Sequence, residues 1–298
     1  MLLSPRRLVE SAAFAKRENG LGLQQRAYSL MVAVKTHREA SARPTSVGRS
    51  EQSEDRWAAP VLRARKGGPA ERLADRFGHL HPAIVFALVM LAGLAAIAVA
   101  SIGLGFLVTR VLEHVSGIRA ADEHFIVWLA AHRTSSRTEA SLIGSIVAGG
   151  VVLPIIVGSI ALVCAALRKW RIAAFAVFAL AVESGTYRAT TLVVHSHRPR
   201  VVRLENLPVN ASYPSGHTAA AIAVYGGIVL LLASRFTNRV FQTFAWTFVL
   251  AMVTFVATAR MYRGMHHPLD VAGGVVVGIA AVIVLVFACR TAGAAAES

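Results

Sequence analysis

Six apolar runs divide the chain. They cover approximately residues 83–109, 143–167, 172–194, 217–234, 243–259 and 269–289. Each is close to the roughly 20 residues needed to cross a bilayer's hydrocarbon core. The first, from Ala83 to Thr109, contains no charged residue. Between the first two runs, Phe125, Val127, Trp128 and Leu129 alternate with polar residues at near-helical spacing. That pattern predicts an amphipathic helix lying in the membrane interface, anchored by Trp128. The region before the first run has no apolar stretch long enough to span. The expectation is an all-α polytopic membrane protein with about six transmembrane helices over residues 79–298. A basic, disordered cytoplasmic tail is expected over residues 1–78.

Composition agrees with this division. The chain has 298 residues, is 55% hydrophobic and carries a formal net charge of +15. A nucleic-acid binder would be basic but not this apolar, so no nucleic-acid partner is expected. The region 1–78 holds 15 Lys/Arg against 8 Asp/Glu, about half of the excess charge. It lacks the short apolar core and small-residue cleavage site of a signal peptide. Arg168, Lys169 and Arg171, then Arg235 and Arg239, then Arg290 fall on the same side as this region if there are six spans. That side is expected to be the cytoplasm, which places both termini there. The connections at 195–216 and 260–268 also carry arginines, although they face the other side. Function rather than topology accounts for those. Cys164 and Cys289 read as small apolar residues, not as a disulfide or a metal site.

Three polar clusters share that far face: "HSHRPR" after the third run, "YPSGH" opening the fourth, and "ARMYRGMHHPLD" between the fifth and sixth. The first turn of a helix offers unpaired N–H groups and partial positive charge. With Ser215 as cap and Gly216 allowing close approach, it can hold an anion. His217 sits in that turn. His266 and Asp270 are four residues apart, on one helical face. A carboxylate beside an imidazole fixes its tautomer and supports a nucleophilic or basic role. Arg198 and Arg260 suit a phosphate through bidentate hydrogen bonds. Two histidines and one carboxylate beside arginines make a poor cation site, so no metal is expected. Each cluster alone is also compatible with a capped helix or a snorkelling arginine. Jointly they point to phosphoryl transfer.

The clusters resemble the signature of the type 2 phosphatidic acid phosphatase superfamily of lipid phosphatases. That signature runs Lys, six residues, Arg-Pro; then Pro-Ser-Gly-His; then Ser-Arg, five residues, His, three residues, Asp. Arg198-Pro199, Pro214-Ser215-Gly216-His217, and Arg260, His266 and Asp270 match it. The resemblance covers about residues 80–290, since the six-span layout is also similar. It implies that His266 attacks phosphorus to form a phosphohistidine and that Asp270 orients it. His217 protonates the leaving alkoxide and then helps activate water. Arg198, Arg260, Ser215 and the N–H groups around Gly216 hold the phosphoryl oxygens, and no cofactor is needed. Two positions depart from the pattern: Thr191 stands for the lysine, and Ala259 for the serine before Arg260. Arg188, Arg200 and Arg263 are candidate replacement cations, and the sequence does not choose among them.

The leading expectation is a phosphatase of lipid phosphates or diphosphates, of phosphatidate, phosphatidylglycerol phosphate or undecaprenyl diphosphate type. It would work at the extracytoplasmic face of the cytoplasmic membrane, with the lipid chain admitted laterally between helices. The alternatives are a lipid phosphotransferase using the same residues, a catalytically impaired relative retained for lipid binding, and a small transporter. The last fits poorly, because carrier sites usually lie at the bilayer midplane.

Overall fold

A computed structural model describes residues 59–297. The expected disorder of the basic region lies outside the described residues up to position 58. The remainder of that region is folded. A 3-10 turn at Pro60–Leu62 precedes helix α1 (Pro69–Arg76). Ala59, Leu62 and Ala74 are buried in the main core. The folded part therefore begins upstream of the boundary drawn at residue 78. Helix α1 is short and exposes Arg72, Asp75 and Arg76, so its composition resembles a tail while one narrow face packs.

Eight further helices follow. They are α2 (Pro82–Arg110), α3 (Ser116–Ala131), α4 (Ser135–Val147), α5 (Val152–Ala166), α6 (Trp170–Val193), α7 (Gly216–Ala233), α8 (Arg239–Tyr262) and α9 (Pro268–Ala295). There is no strand among the described residues, where a single isolated bridge joins Ser196 and Ala211. Six spans are long and apolar enough to cross a membrane: α2, α4 with α5, α6, α7, α8 and α9. Outward residues such as Leu91, Leu162 and Leu250 are exposed and apolar, as a lipid-facing surface requires.

Local chemistry sets the ends of these helices. Thr134 Oγ1 accepts from Arg137 N–H at the start of α4, and Asn238 Oδ1 accepts from Val240 and Phe241 N–H at the start of α8. Pro268 opens α9, where its missing N–H costs nothing. The second span starts at Ser135 instead of 143, because its first turns, "SSRTEAS", are polar despite being helical. It also breaks at residues 148–151, around Gly149 and Gly150. Helix α7 winds as a π-helix over Ile222–Gly226, and Tyr225 Oη donates to the Val147 carbonyl at the end of α4 (2.6 Å). Helix α3 has the expected amphipathic character. Ile126 and Leu129 pack with Tyr262 while Phe125, Val127 and Trp128 are exposed.

Helix α9 is the centre of the bundle. Val277, Ala281, Leu285 and Ala288 pack with Val85 and Val89 of α2, Phe175 and Ala179 of α6, and Ala219 of α7. Two glycines bring α9 against the start of α7. A Cβ at Gly274 would lie 2.5 Å from the Ser215 carbonyl oxygen, and one at Gly278 would lie 2.7 Å from that of Ala219. This close approach of backbones places the beginnings of α7 and α9 side by side.

Candidate active site

Three connections meet at one end of the bundle. Leu204 N–H donates to the Arg263 carbonyl (3.1 Å), joining segment 194–215 to the turn between α8 and α9. Arg133 donates to the carbonyls of Tyr262 (2.7 and 3.0 Å) and Val202 (2.7 Å), adding the α3–α4 connection. Gly264, at φ +70°, makes the turn that reverses the chain before His266. Ser215 N–H donates to the Asp270 carbonyl (2.9 Å), which ties the first turn of α7 to that of α9.

Beneath these connections lies a cavity of about 390 Å³. Arg198, Gly216, His217, Arg260 and His266 line its polar part. Residues from three separate clusters of sequence therefore open on one space. Ser215 and Asp270 stand immediately behind the wall. Ser215 Oγ pairs with Thr218 Oγ1 (3.0 Å) and does not cap the backbone. Neither Gly216 N–H nor His217 N–H has an acceptor among the described residues.

Arg260 is fully buried. Its Nη1 donates to both oxygens of Glu205 (2.8 and 2.9 Å) and to Ser145 Oγ. Its Nε and Nη2 are buried without a partner. Unsatisfied guanidinium donors are costly in a protein interior, and they are the groups that grip an oxyanion. Arg198 is more committed. Its three nitrogens donate to the carbonyls of Pro208 (2.8 Å), Met265 and Ala211 (2.8 Å). Each Nη keeps a second N–H, so Arg198 shapes the loop and can still offer donors to the cavity.

Orientation of His266 comes from an unexpected group. Its Nδ1 lies 2.8 Å from the Ser212 carbonyl oxygen and 4.0 Å from Asp270 Oδ2. A carbonyl can only accept, so Nδ1 carries the proton and Nε2 keeps a free lone pair. Asp270 acts one step away. Its Oδ2 accepts from Ser212 Oγ (2.6 Å) and from His267 N–H (2.8 Å), and lies 3.5 Å from His267 Nδ1. Burial, then the charges of Arg260, Arg198 and His217, hold the His266 imidazole well below the ordinary 6.5. His267 moves the other way. Burial disfavours its charge, but Asp270, Asp122 and Glu123 together raise it above the ordinary value.

None of the three candidate replacement cations lines the cavity. Arg188 and Arg200 are exposed. Arg263 is taken up by Glu205 (2.6 Å), Ser141 Oγ (3.2 Å) and the Leu204 carbonyl (3.1 Å). Thr191 turns its hydroxyl back to the carbonyls of Tyr187 and Arg188. Among the described residues, no group of three or more His, Cys, Asp or Glu side chains is arranged to hold a metal ion.

Glu205 went unread in the sequence. It holds Arg260, Arg263 and Ser145 together. Burial alone would raise its carboxyl. The Arg260 charge and the hydrogen bonds from Arg260, Ser145 and Arg263 outweigh this and hold it at about 2. A signal existed: Glu205 is the single acidic residue between Glu183 and Asp270, in a segment crowded with arginine.

Comparison with known proteins finds a matching family model and similar folds. Residues 172–292 match the PAP2 superfamily. The chain is 38% identical over 77 residues to an undecaprenyl-diphosphatase of Sulfolobus acidocaldarius; the match covers 25% of this chain and 32% of that protein. The chain thus spans about a third of the length of this curated relative. Its fold is similar to the crystal structure of a transmembrane PAP2-type phosphatidylglycerolphosphate phosphatase from Bacillus subtilis, with a TM-score of 0.53 and 19% identity, covering 68% of this chain and 93% of that one. A weaker likeness, with a TM-score of 0.44 and 20% identity, is to Aquifex aeolicus LpxE, over 56% of this chain and 95% of that one. The chain is a multi-pass membrane protein.

Proposed function

We propose, on the premise that this chain carries a PAP2 superfamily domain, that it is an integral-membrane phosphatase of lipid phosphates or diphosphates. The supporting observation is Arg260. Two of its buried nitrogens lack partners, and it opens on the same cavity as His217 and His266. An arginine in that state calls for an anion, and the two histidines are the groups that can act on one.

The proposed reaction has two steps. Nε2 of His266 attacks phosphorus while the bond from phosphorus to the lipid oxygen breaks. His217 gives its proton to that oxygen, and the dephosphorylated lipid leaves. Water then attacks the phosphohistidine, His217 takes a proton from it, and inorganic phosphate is released with His266 restored. Arg260, the spare N–H groups of Arg198 and the first-turn N–H groups of Gly216 and His217 stabilise the phosphoryl oxygens. Positioning and charge stabilisation of this kind supply most of the rate in phosphoryl transfer. Asp270 serves as a positioning residue, holding Ser212 and through it His266. The bias of Lys and Arg argues for cytoplasmic termini and an extracytoplasmic site.

The test is phosphate release by purified protein in detergent with EDTA, using phosphatidate, phosphatidylglycerol phosphate and undecaprenyl diphosphate. His266→Ala should abolish release, and His217→Ala should lower it by roughly 10²–10⁴-fold. A wild type inactive on all three lipids, or a fully active His266→Ala, defeats the reading.

A further inference from the structure

The cavity has a second polar pole that the phosphoryl chemistry leaves unused. Glu183 and Ser184 of α6 line its wall, in the company of Leu153, Pro154, Leu180 and Ala220. Glu183 is 3% exposed. Its one recorded hydrogen bond is from Ser184 Oγ to Oε2, at 3.2 Å. No ion pair reaches it among the described residues, and Arg188, one turn further along α6, is exposed. A buried carboxyl group without a cation in an apolar wall is expensive unless a ligand supplies a partner.

Its position along α6 indicates which part of a ligand that would be. Tyr187 lies one turn nearer the phosphate end. Its ring packs on Gly216, where an added Cβ would come within 3.2 Å of it. Glu183 is therefore about 6 Å deeper along the helix than Tyr187. In an acylated glycerol phosphate, the ester oxygens begin a few bonds beyond the phosphate, within that reach. In a polyprenyl phosphate everything beyond the phosphate is hydrocarbon, which would lie against the carboxyl group without bonding to it.

We propose that the Glu183–Ser184 pair is a specificity-determining station that hydrogen-bonds the ester or hydroxyl oxygens of a glycerolipid phosphate and so selects it over a polyprenyl phosphate. This rests on the phosphatase reading above. The Ser184 hydroxyl turns from Glu183 to donate to one ester oxygen, and the carboxyl group in its neutral form donates the companion hydrogen bond to another; it accepts one only where the lipid carries a free hydroxyl. One polar station then discriminates by its unmet need when the wrong lipid occupies the cavity.

The experiment measures kcat/KM for dioleoyl phosphatidate and for farnesyl phosphate on the same preparations of wild type, Glu183→Gln, Glu183→Leu and Ser184→Ala. The wild type should favour phosphatidate. Glu183→Leu should lower the phosphatidate-to-farnesyl ratio about tenfold, the worth of one such hydrogen bond. Glu183→Gln, which can still donate and accept, should keep most of the ratio. Ser184→Ala should lower the ratio by a smaller factor, and carries the test if Glu183→Leu does not fold. A wild type that prefers farnesyl phosphate, or a ratio unchanged in Glu183→Leu, overturns the station while leaving the phosphatase reading intact. So does an unchanged ratio in Ser184→Ala if that variant must stand in. Absence of release from both lipids by the wild type overturns the station if phosphatidylglycerol phosphate is also left intact while undecaprenyl diphosphate is hydrolysed, and overturns the phosphatase reading itself if neither of those is hydrolysed either.

Discussion

Glu205→Ala should lower both the stability and the activity of this protein. The carboxylate accepts from Arg260 (2.8 and 2.9 Å), Arg263 (2.6 Å) and Ser145 (2.8 Å), and its side chain is 24% exposed. Removing it leaves a fully buried Arg260 with uncompensated charge, a change that typically costs about 3–5 kcal/mol. The same pairing can be expressed through the carboxyl's titration. Moving a carboxyl from its ordinary 4.5 to about 2 corresponds to about 3 kcal/mol of stability at neutral pH. On the scale of globular domains of this size, that lowers the melting midpoint by roughly 6–12 °C. The assay is thermal unfolding in detergent, with phosphate release on the same samples. Arg260 loses its anchor as well, so release should fall by about a hundredfold or more. The acid side adds a second reading. Because folding depresses this carboxyl, its stabilisation is complete above about 4.5 and disappears as pH falls towards 2. Wild type should lose stability steeply in that window, and Glu205→Gln should lose less of it. A Glu205→Ala protein with wild-type melting and wild-type release would refute the claim that this carboxylate holds the site together.

Three further outcomes are expected. His266 is held well below its ordinary 6.5, so the neutral nucleophile persists into mild acid. The acid limb of kcat/KM should fall below pH 6.5, and a limb at or above that value would contradict the environment described. Gly274→Leu should force α9 from α7, because its Cβ meets the Ser215 carbonyl at 2.5 Å. A loss of at least about 1–3 kcal/mol is expected in detergent unfolding, with Gly103→Leu, whose Cβ meets nothing within 4 Å, as the neutral control. Thr191→Lys should raise kcat/KM about tenfold if its ammonium reaches the anion, as one charge-assisted hydrogen bond would; an unchanged rate would mean that two arginines suffice.

The spans were legible because length and freedom from charge are local properties. Ala83–Thr109 could be read as a helix without any knowledge of its neighbours, and α2 runs Pro82–Arg110. The three polar clusters were legible for a different reason: arginine, histidine and aspartate at membrane boundaries are conspicuous against apolar sequence. What escaped was pairing at a distance. Nothing near Arg198 says that its nitrogens serve the carbonyls of Pro208, Met265 and Ala211. Nothing near His266 says that the Ser212 carbonyl, rather than Asp270, is its direct partner. The 3.6-residue rule placed Asp270 on the correct face, but the capping of α9 drew its carboxylate to the His267 N–H. The break at Gly149 and Gly150 was likewise hidden, because both flanks are apolar and the run reads as continuous.

That break has a consequence for the second half of the proposed reaction. It lies near the middle of the span Ser135–Ala166. Ala148, Gly149 and Gly150 face the cavity. Peptide groups released from helical pairing at such depth are tolerated where they meet solvent or other protein groups, and Tyr225 satisfies the Val147 carbonyl. Gly149 keeps its own pairs as well, its N–H donating to the Ile146 carbonyl (2.9 Å) and its carbonyl accepting from Leu153 N–H (3.3 Å). The break is thus a satisfied kink whose two glycines put bare backbone, without side chains, into the cavity wall. The room left there is room for the water that the second step of the proposed reaction consumes.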